Sequence, residues 1–210
     1  MLTIEQARTW YQDNDQVHDF DHVLRVTKLA EVLAHQEGAD VEVVRAAALL
    51  HDAQAASGSE DQRLDHHQAA AGFAAEVLQQ EGWLEERILA VQQCILTHRF
   101  RTGEPPETLE AKVLFDADKL DAIGAIGVAR SLAFAVLDGQ PLFAEPSGAF
   151  RKTLEAQPGE AYTAYHEFLF KLSRIKDRMQ TESGKAMAAE RHTFMQDFFQ
   201  QLRAEVHGEK

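Results

Sequence analysis

Apolar residues return every three or four positions along most of the chain and almost nowhere every second one. That period belongs to helices packed by one face, whereas strict alternation marks strands. Thr3 followed by Gln6 has the form of a capping box and predicts a first helix over 3–11. A second is expected over 19–36: Val26, Leu29, Val32 and Leu33 share a helical period, and Gly38 stops it. Asp40 is placed to cap a third over 41–53, and Gly58 and Ser59 mark a loop. Helices over 65–80 and 84–98 follow, then a break at 103–106, then helices over 108–122 and 124–137. Gly139, Pro141, Pro146 and Gly148 make 139–158 irregular. This stretch keeps Leu142, Phe143 and Phe150, so it reads as an insertion or lid rather than a linker. Two long helices, 160–179 and 182–206, close the chain, with Thr181 as cap of the last. The pattern predicts an all-α fold.

At 210 residues and 45% hydrophobic content the chain can bury one sizeable core. Its longest apolar run, 43–50, is interrupted by Arg45 and falls far short of the roughly 18 residues of a membrane span. The first residues lack the basic start and apolar stretch of a signal peptide. One cysteine, Cys94, permits no intrachain disulfide, which fits a reducing cytoplasm. A net charge of −13 repels nucleic acid and anionic membranes, so neither is an expected partner. A small phosphorylated substrate stays open, because a bound cation sets the field at its own site. Phe194, Phe198 and Phe199 read as core of the last helix, with a homodimer contact as the alternative.

Four places set a histidine or carboxylate where core is expected. His22 shares a helical face with Val26, Leu29 and Leu33. His51 and Asp52 directly follow the apolar run. His98 follows Val91, Cys94 and Ile95 at helical spacing, and Asp118 and Asp121 lie within FDADKLDAIGAIG. Each alone has an ordinary reading: a hydrogen-bonded core histidine, a helix cap or a solvated acidic face. Together they matter more, because helical bundles build metal sites from single inward ligands on separate helices. Two imidazoles and two carboxylates suit a divalent ion with open positions.

The order His22, then His51-Asp52, then Asp118 within DADKLDAIG resembles the HD-domain metal-dependent phosphohydrolase superfamily. HDFDHVLRV, LLHDA, ILTHRF, DADKLDAIGAIGVAR and MQTESGKAMAAERHTFMQDFF are similar to a bacterial single-domain subgroup of it, over nearly the whole chain. The resemblance implies an HD-domain helical bundle with additional C-terminal helices. It further implies a single domain over 1–210, with a metal-binding core over 15–135 and a C-terminal part over 159–207 packed on it. One divalent ion (Mn²⁺, Mg²⁺, Co²⁺, Ni²⁺, Fe²⁺ or Zn²⁺) is implied at His22, His51, Asp52 and Asp118, with Asp116 the alternative last ligand. His66, His67 and His98 occupy the interval where some members bind a second metal; one ion is the expectation here.

The implied activity is hydrolysis of a phosphate ester or anhydride, by a nucleotidase or a nucleoside triphosphate pyrophosphohydrolase. A cyclic or non-nucleotide phosphate, or a metal-containing sensor without turnover, are the alternatives. In this reading Asp52, His98 and Lys119 are catalytic, and Arg25, Lys119 and His67 meet the substrate. His18, Asp19 and Asp121 support the ligands from behind. Arg25 and Lys119 have structural ion pairs as their ordinary reading, and His18-Asp19 a helix cap. Gly124 and Gly127 are expected to allow close packing, and no phosphate-cradling GxxxxGK[ST] loop is present.

Overall fold

The structure, a computed structural model, describes residues 2–11, 20–53, 66–99 and 105–210. Its α-helices are α1 (Ile4–Arg8), α2 (Phe20–Glu37), α3 (Val41–Leu50), α4 (His66–Gln80), α5 (Glu85–Thr97), α6 (Leu109–Asp121), α7 (Gly124–Leu137), α8 (Phe150–Thr153), α9 (Ala164–Phe170) and α10 (Glu182–Val206). Among the described residues there is no strand, and no single helix is long and apolar enough to cross a membrane. The chain divides into two compact units. One runs to Asp118 and takes in Gln180–Gly184; the other holds Lys119–Met179 and Lys185–Lys210.

In the first unit α3 is the central element. Val43, Val44, Ala46, Ala47, Ala48, Leu49 and Leu50 are all buried, so this helix is covered nearly all round. It packs against α1, α2, α4 and α5, and α4 packs on α5. The Asp40 side chain accepts from the backbone of Glu42 and Val43, satisfying donors that the first turn leaves open. Thr3 and Gln6 form the expected capping box. In α2 the buried face carries His22, Val26 and Leu33, while Val32 points outward.

The second unit departs from the expected single helix over 160–179. Here α9 covers Ala164–Phe170, Lys171 leaves helical geometry, and a 3₁₀ turn takes Leu172–Arg178. Leu172 and Ile175, three apart, are both buried, and a 3₁₀ helix places such positions on one line. The irregular stretch contains α8, whose Phe150 is fully buried. Glu160 accepts from the backbone of Ser147 and of Gln157 and so ties together the chain on either side of α8. On α10 Phe199 is core, Phe198 is half-buried and Phe194 is exposed.

Glycine geometry is demanding at two positions. Gly124 has φ +75°, and a β-carbon there would meet Cγ of Arg191 at 3.0 Å. A β-carbon at Gly127 would overlap the carbonyl of Ala122, so its tight approach is to the preceding turn of its own chain.

Candidate metal centre

Four helix ends bring the site together: the start of α2 and the C-terminal ends of α3, α5 and α6. His22 lies in the first turns of α2 and is 6% exposed. His51 is the C-cap of α3, and Asp52 follows it in the turn. His98 is the C-cap of α5, and Asp118 lies in the last turn of α6.

His51 is fully buried. Its Nδ1 donates to the carbonyl of Ala48 at 2.8 Å. That bond fixes the tautomer and leaves a lone pair on Nε2. This Nε2 makes no hydrogen bond and stands 3.5 Å from Oδ2 of Asp52. His22 Nε2 lies 3.5 Å from Oδ1 of Asp118 and 3.8 Å from Oδ2 of Asp52. Ligand atoms of His22, His51 and Asp118 all fall within 4.8 Å of one another. These separations exceed hydrogen bonds. They match donor atoms around one cation, which sit about 3.4 Å apart when each is about 2.1 Å from a tetrahedral ion. Two nearly buried carboxylates facing imidazole lone pairs are costly without positive charge between them. The residues present therefore fit a divalent ion.

His98 is 1% exposed. Its Nδ1 donates to the carbonyl of Ile95, and its Nε2 faces Oδ1 of Asp52 at 3.7 Å. Its ring lies 5.3 Å from that of His51. Asp52 is thus addressed from three sides by imidazoles.

Asp116 does something else. It is fully buried, and its Oδ1 accepts from Gln180 N while its Oδ2 accepts from both N and Oγ1 of Thr181. Burial raises its pKa, and those three bonds oppose the rise. The geometry therefore favours Asp118 over Asp116 beside His22.

Arg25 is half-buried on α2 and Lys119 half-buried on α6; each has a partner in the fold. His67 is buried at the start of α4, outside the group of three close ligand atoms. The side chain of His66, and His18 and Asp19 altogether, lie outside the described residues. Asp121 is buried and faces Nη1 of Arg130 at 3.4 Å.

Tyr11 has no place in the motif, yet it meets the turn carrying Asp52. Its hydroxyl donates to the carbonyl of Leu49 at 2.9 Å. Burial holds the phenol well above its ordinary pKa, and the charge of Asp52 raises it further. Only the tertiary fold brings it there; a tyrosine near the start of the chain carries no such signal by itself.

Helices that converge two imidazoles and two carboxylates on one point define a metal-dependent enzyme of the helical-bundle kind. The HD domain family matches residues 19–123. YpgQ of Bacillus subtilis (strain 168) is 33% identical over 208 residues, 97% of this chain and 94% of that one. The crystal structure of YpgQ in complex with ADP superposes with a TM-score of 0.72 at 32% identity, covering 96% of this chain and 94% of that one. An HD-superfamily hydrolase from Bacillus thuringiensis gives a TM-score of 0.75 at 28% identity, covering 97% and 94%. The chain belongs to the HD domain family. It is an all-α, HD-type metal-dependent phosphohydrolase.

Proposed function

We propose that this enzyme hydrolyses a phosphate ester or anhydride bond of a nucleotide, as a nucleotidase or nucleoside triphosphate pyrophosphohydrolase. One divalent ion would be held by His22, His51, Asp52 and Asp118. The observation that carries the reading is the buried Nε2 of His51, without a hydrogen bond and 3.5 Å from Asp52, beside His22 set between two carboxylates. Bound there, such an ion supplies Lewis acidity toward phosphoryl oxygen and activates water.

The chain's own residues do the rest. The bond from His51 Nδ1 to Ala48 keeps its ring in the ligating tautomer. His98 takes the same tautomer through Ile95, so its Nε2 is a base directed at Asp52 and the reacting region. Lys119 beside Asp118 and Arg25 one turn after His22 supply positive charge for phosphate oxygens. His67 stands as a further substrate contact. Nucleotide as substrate is supported by the ADP complex of YpgQ. The lone buried thiol, Cys94, suits a cytoplasmic enzyme.

The test is metal analysis of the purified protein together with hydrolysis of a panel of nucleoside mono-, di- and triphosphates, cyclic nucleotides and sugar phosphates under Mn²⁺, Mg²⁺ and Co²⁺. About one equivalent of metal and turnover of a nucleotide are expected. An Asp118→Ala protein should lose both, with kcat/KM falling more than about 100-fold, the upper end for outer-shell partners. Full metal content and activity in that variant would refute the ligand assignment.

A further inference from the structure

Asp118 lies in the last turn of α6, the part of a helix that frays most readily. The last four carbonyls of a helix have no partner in a following turn. Here two of them are met only by tightened bonds: Ala122 N donates to Lys119 O and Ile123 N to Leu120 O, each at 3.2 Å. Those lengths are at the long limit for N–H···O bonds. Gly124 then turns the chain away with φ +75°.

A further donor comes from Arg191, which is half-buried on α10. Its Nη1 donates to the carbonyl of Leu120. Its stem lies against Gly124, where a β-carbon would meet Cγ at 3.0 Å and Cβ and Cδ at 3.2 Å. The missing side chain at Gly124 is thus what lets the stem come this near to the helix end. A guanidinium there also meets the negative end of the helix dipole. Burial lowers the pKa of Arg191, and the charge of Asp121 opposes that fall. Asp121 is 1% exposed and faces Nη1 of Arg130 at 3.4 Å. A charge so buried is costly without cations beside it. Guanidinium groups from α7 and α10 therefore bracket the end of α6, and Arg191 bonds its backbone directly.

Leu120 follows Asp118 by two residues, about 3 Å along the helix axis. A ligand side chain has to be held within about 0.5 Å of its working geometry. Taking Asp118 to be a ligand of the metal, we propose that Arg191 is a positioning residue for that centre. By bonding the carbonyl of Leu120 it holds the last turn of α6, and with it the carboxylate of Asp118. Arg191 touches neither ion nor substrate in this role.

The experiment is calorimetric titration of Mn²⁺ into the full-length protein after chelator treatment. Arg191→Met keeps an unbranched stem over Gly124 and removes every N–H. It should bind Mn²⁺ about tenfold more weakly, the lower end for residues behind the ligands. Arg191→Lys keeps the charge without the planar fork and should fall between that variant and wild type. In Arg191→Ala, guanidinium ion far below denaturing concentration should recover part of the lost affinity, and sodium chloride at the same concentration should not. Circular dichroism and thermal melting show whether each variant is folded. A merely structural role would lower the melting temperature and leave Mn²⁺ affinity unchanged. Wild-type affinity in folded Arg191→Met therefore overturns the proposal. So does a loss in Arg191→Ala that guanidinium leaves uncorrected, because the donor is then not the cause. Should Arg191→Met fail to fold, the lysine variant and the guanidinium arm decide in the same way. Wild-type protein that takes up no Mn²⁺ would overturn the metal centre as well; uptake by wild type with no change in the variants overturns the role of Arg191 alone.

Discussion

Thr181 gives Asp116 two hydrogen bonds, from its backbone N at 2.8 Å and from its hydroxyl at 2.7 Å. The same hydroxyl accepts from Gly184 N at 3.0 Å and so caps α10. One threonine thereby joins the start of the last helix to α6, two residues before Asp118. Gly184 is required by this closeness: a β-carbon there would overlap Oδ2 of Asp116 and lie 2.8 Å from its Cγ.

Asp116→Asn puts an amide nitrogen against N–H donors and should cost about 1–3 kcal/mol, read as a lower urea midpoint. Gly184→Ala should cost a similar amount by overpacking, about 1–3 kcal/mol. Both variants should bind metal with wild-type stoichiometry, in contrast to Asp118→Ala. Metal loss in a folded Asp116→Asn protein would reverse the roles given to the two aspartates.

Tyr11→Phe removes one oxygen and leaves the ring against Phe20, whose centroid is 5.5 Å away. The carbonyl of Leu49 then loses its donor, at a cost of about 1 kcal/mol. The His51-Asp52 turn would be held less firmly. We expect kcat to fall about three- to tenfold and metal to bind more weakly, because small misplacements of a reacting group are expensive. A merely structural role would lower the melting temperature and leave metal affinity and kcat untouched.

Most of this architecture is legible in the order of residues because helices declare themselves locally. Gly38, Gly82 and Gly139 end helices with positive φ, and Thr3, Asp40 and Thr181 cap them by side-chain bonds. The inward direction of His22 and His98 follows from their spacing to buried Val26 and Ile95, and that of His51 from its place directly after the buried run 43–50. Three things escape that logic. Lys171 breaks the expected long helix without a glycine or proline, because buried Leu172 and Ile175 favour a tighter turn. The task of Asp116 depends on residues 64 and 65 positions away. Tyr11 meets the centre across 38 positions. Contacts at such separation are set by packing and leave no periodic trace.

His98 offers a sharper test of catalysis than the ligands do, since it faces Asp52 at 3.7 Å without belonging to the closest group of three. His98→Gln keeps a polar side chain of comparable reach but no titratable base. Metal content should stay near wild type while kcat falls about 10²–10⁴-fold, the usual worth of a general acid or base. Parallel loss of metal would make His98 a ligand and call for a larger coordination set.

The acid limit of stability should be set partly by Glu160. Backbone hydrogen bonds from Gln157 and Ser147 lower its pKa to about 2. An unfolded glutamate titrates near 4.3. A carboxylate whose folded pKa is depressed stabilises the fold fully above the unfolded value, and the contribution is lost as pH falls toward the folded one. The window for Glu160 is therefore about pH 4.5 down to 2. Its neighbour His166, fully buried with Nε2 3.5 Å from Oε1 of Glu160, has its pKa lowered chiefly by burial. Protonation of His166 is then costlier in the folded state, so stability also falls with acid once pH drops below the unfolded histidine value near 6.5. Melting temperatures of wild type should thus decline in two stages on acidification. Glu160→Gln should start lower at neutral pH and lose the lower stage, leaving a flatter curve between about pH 4.5 and 2. Parallel curves for the two proteins in that interval would mean that the bonds at Ser147 and Gln157 contribute nothing to the fold.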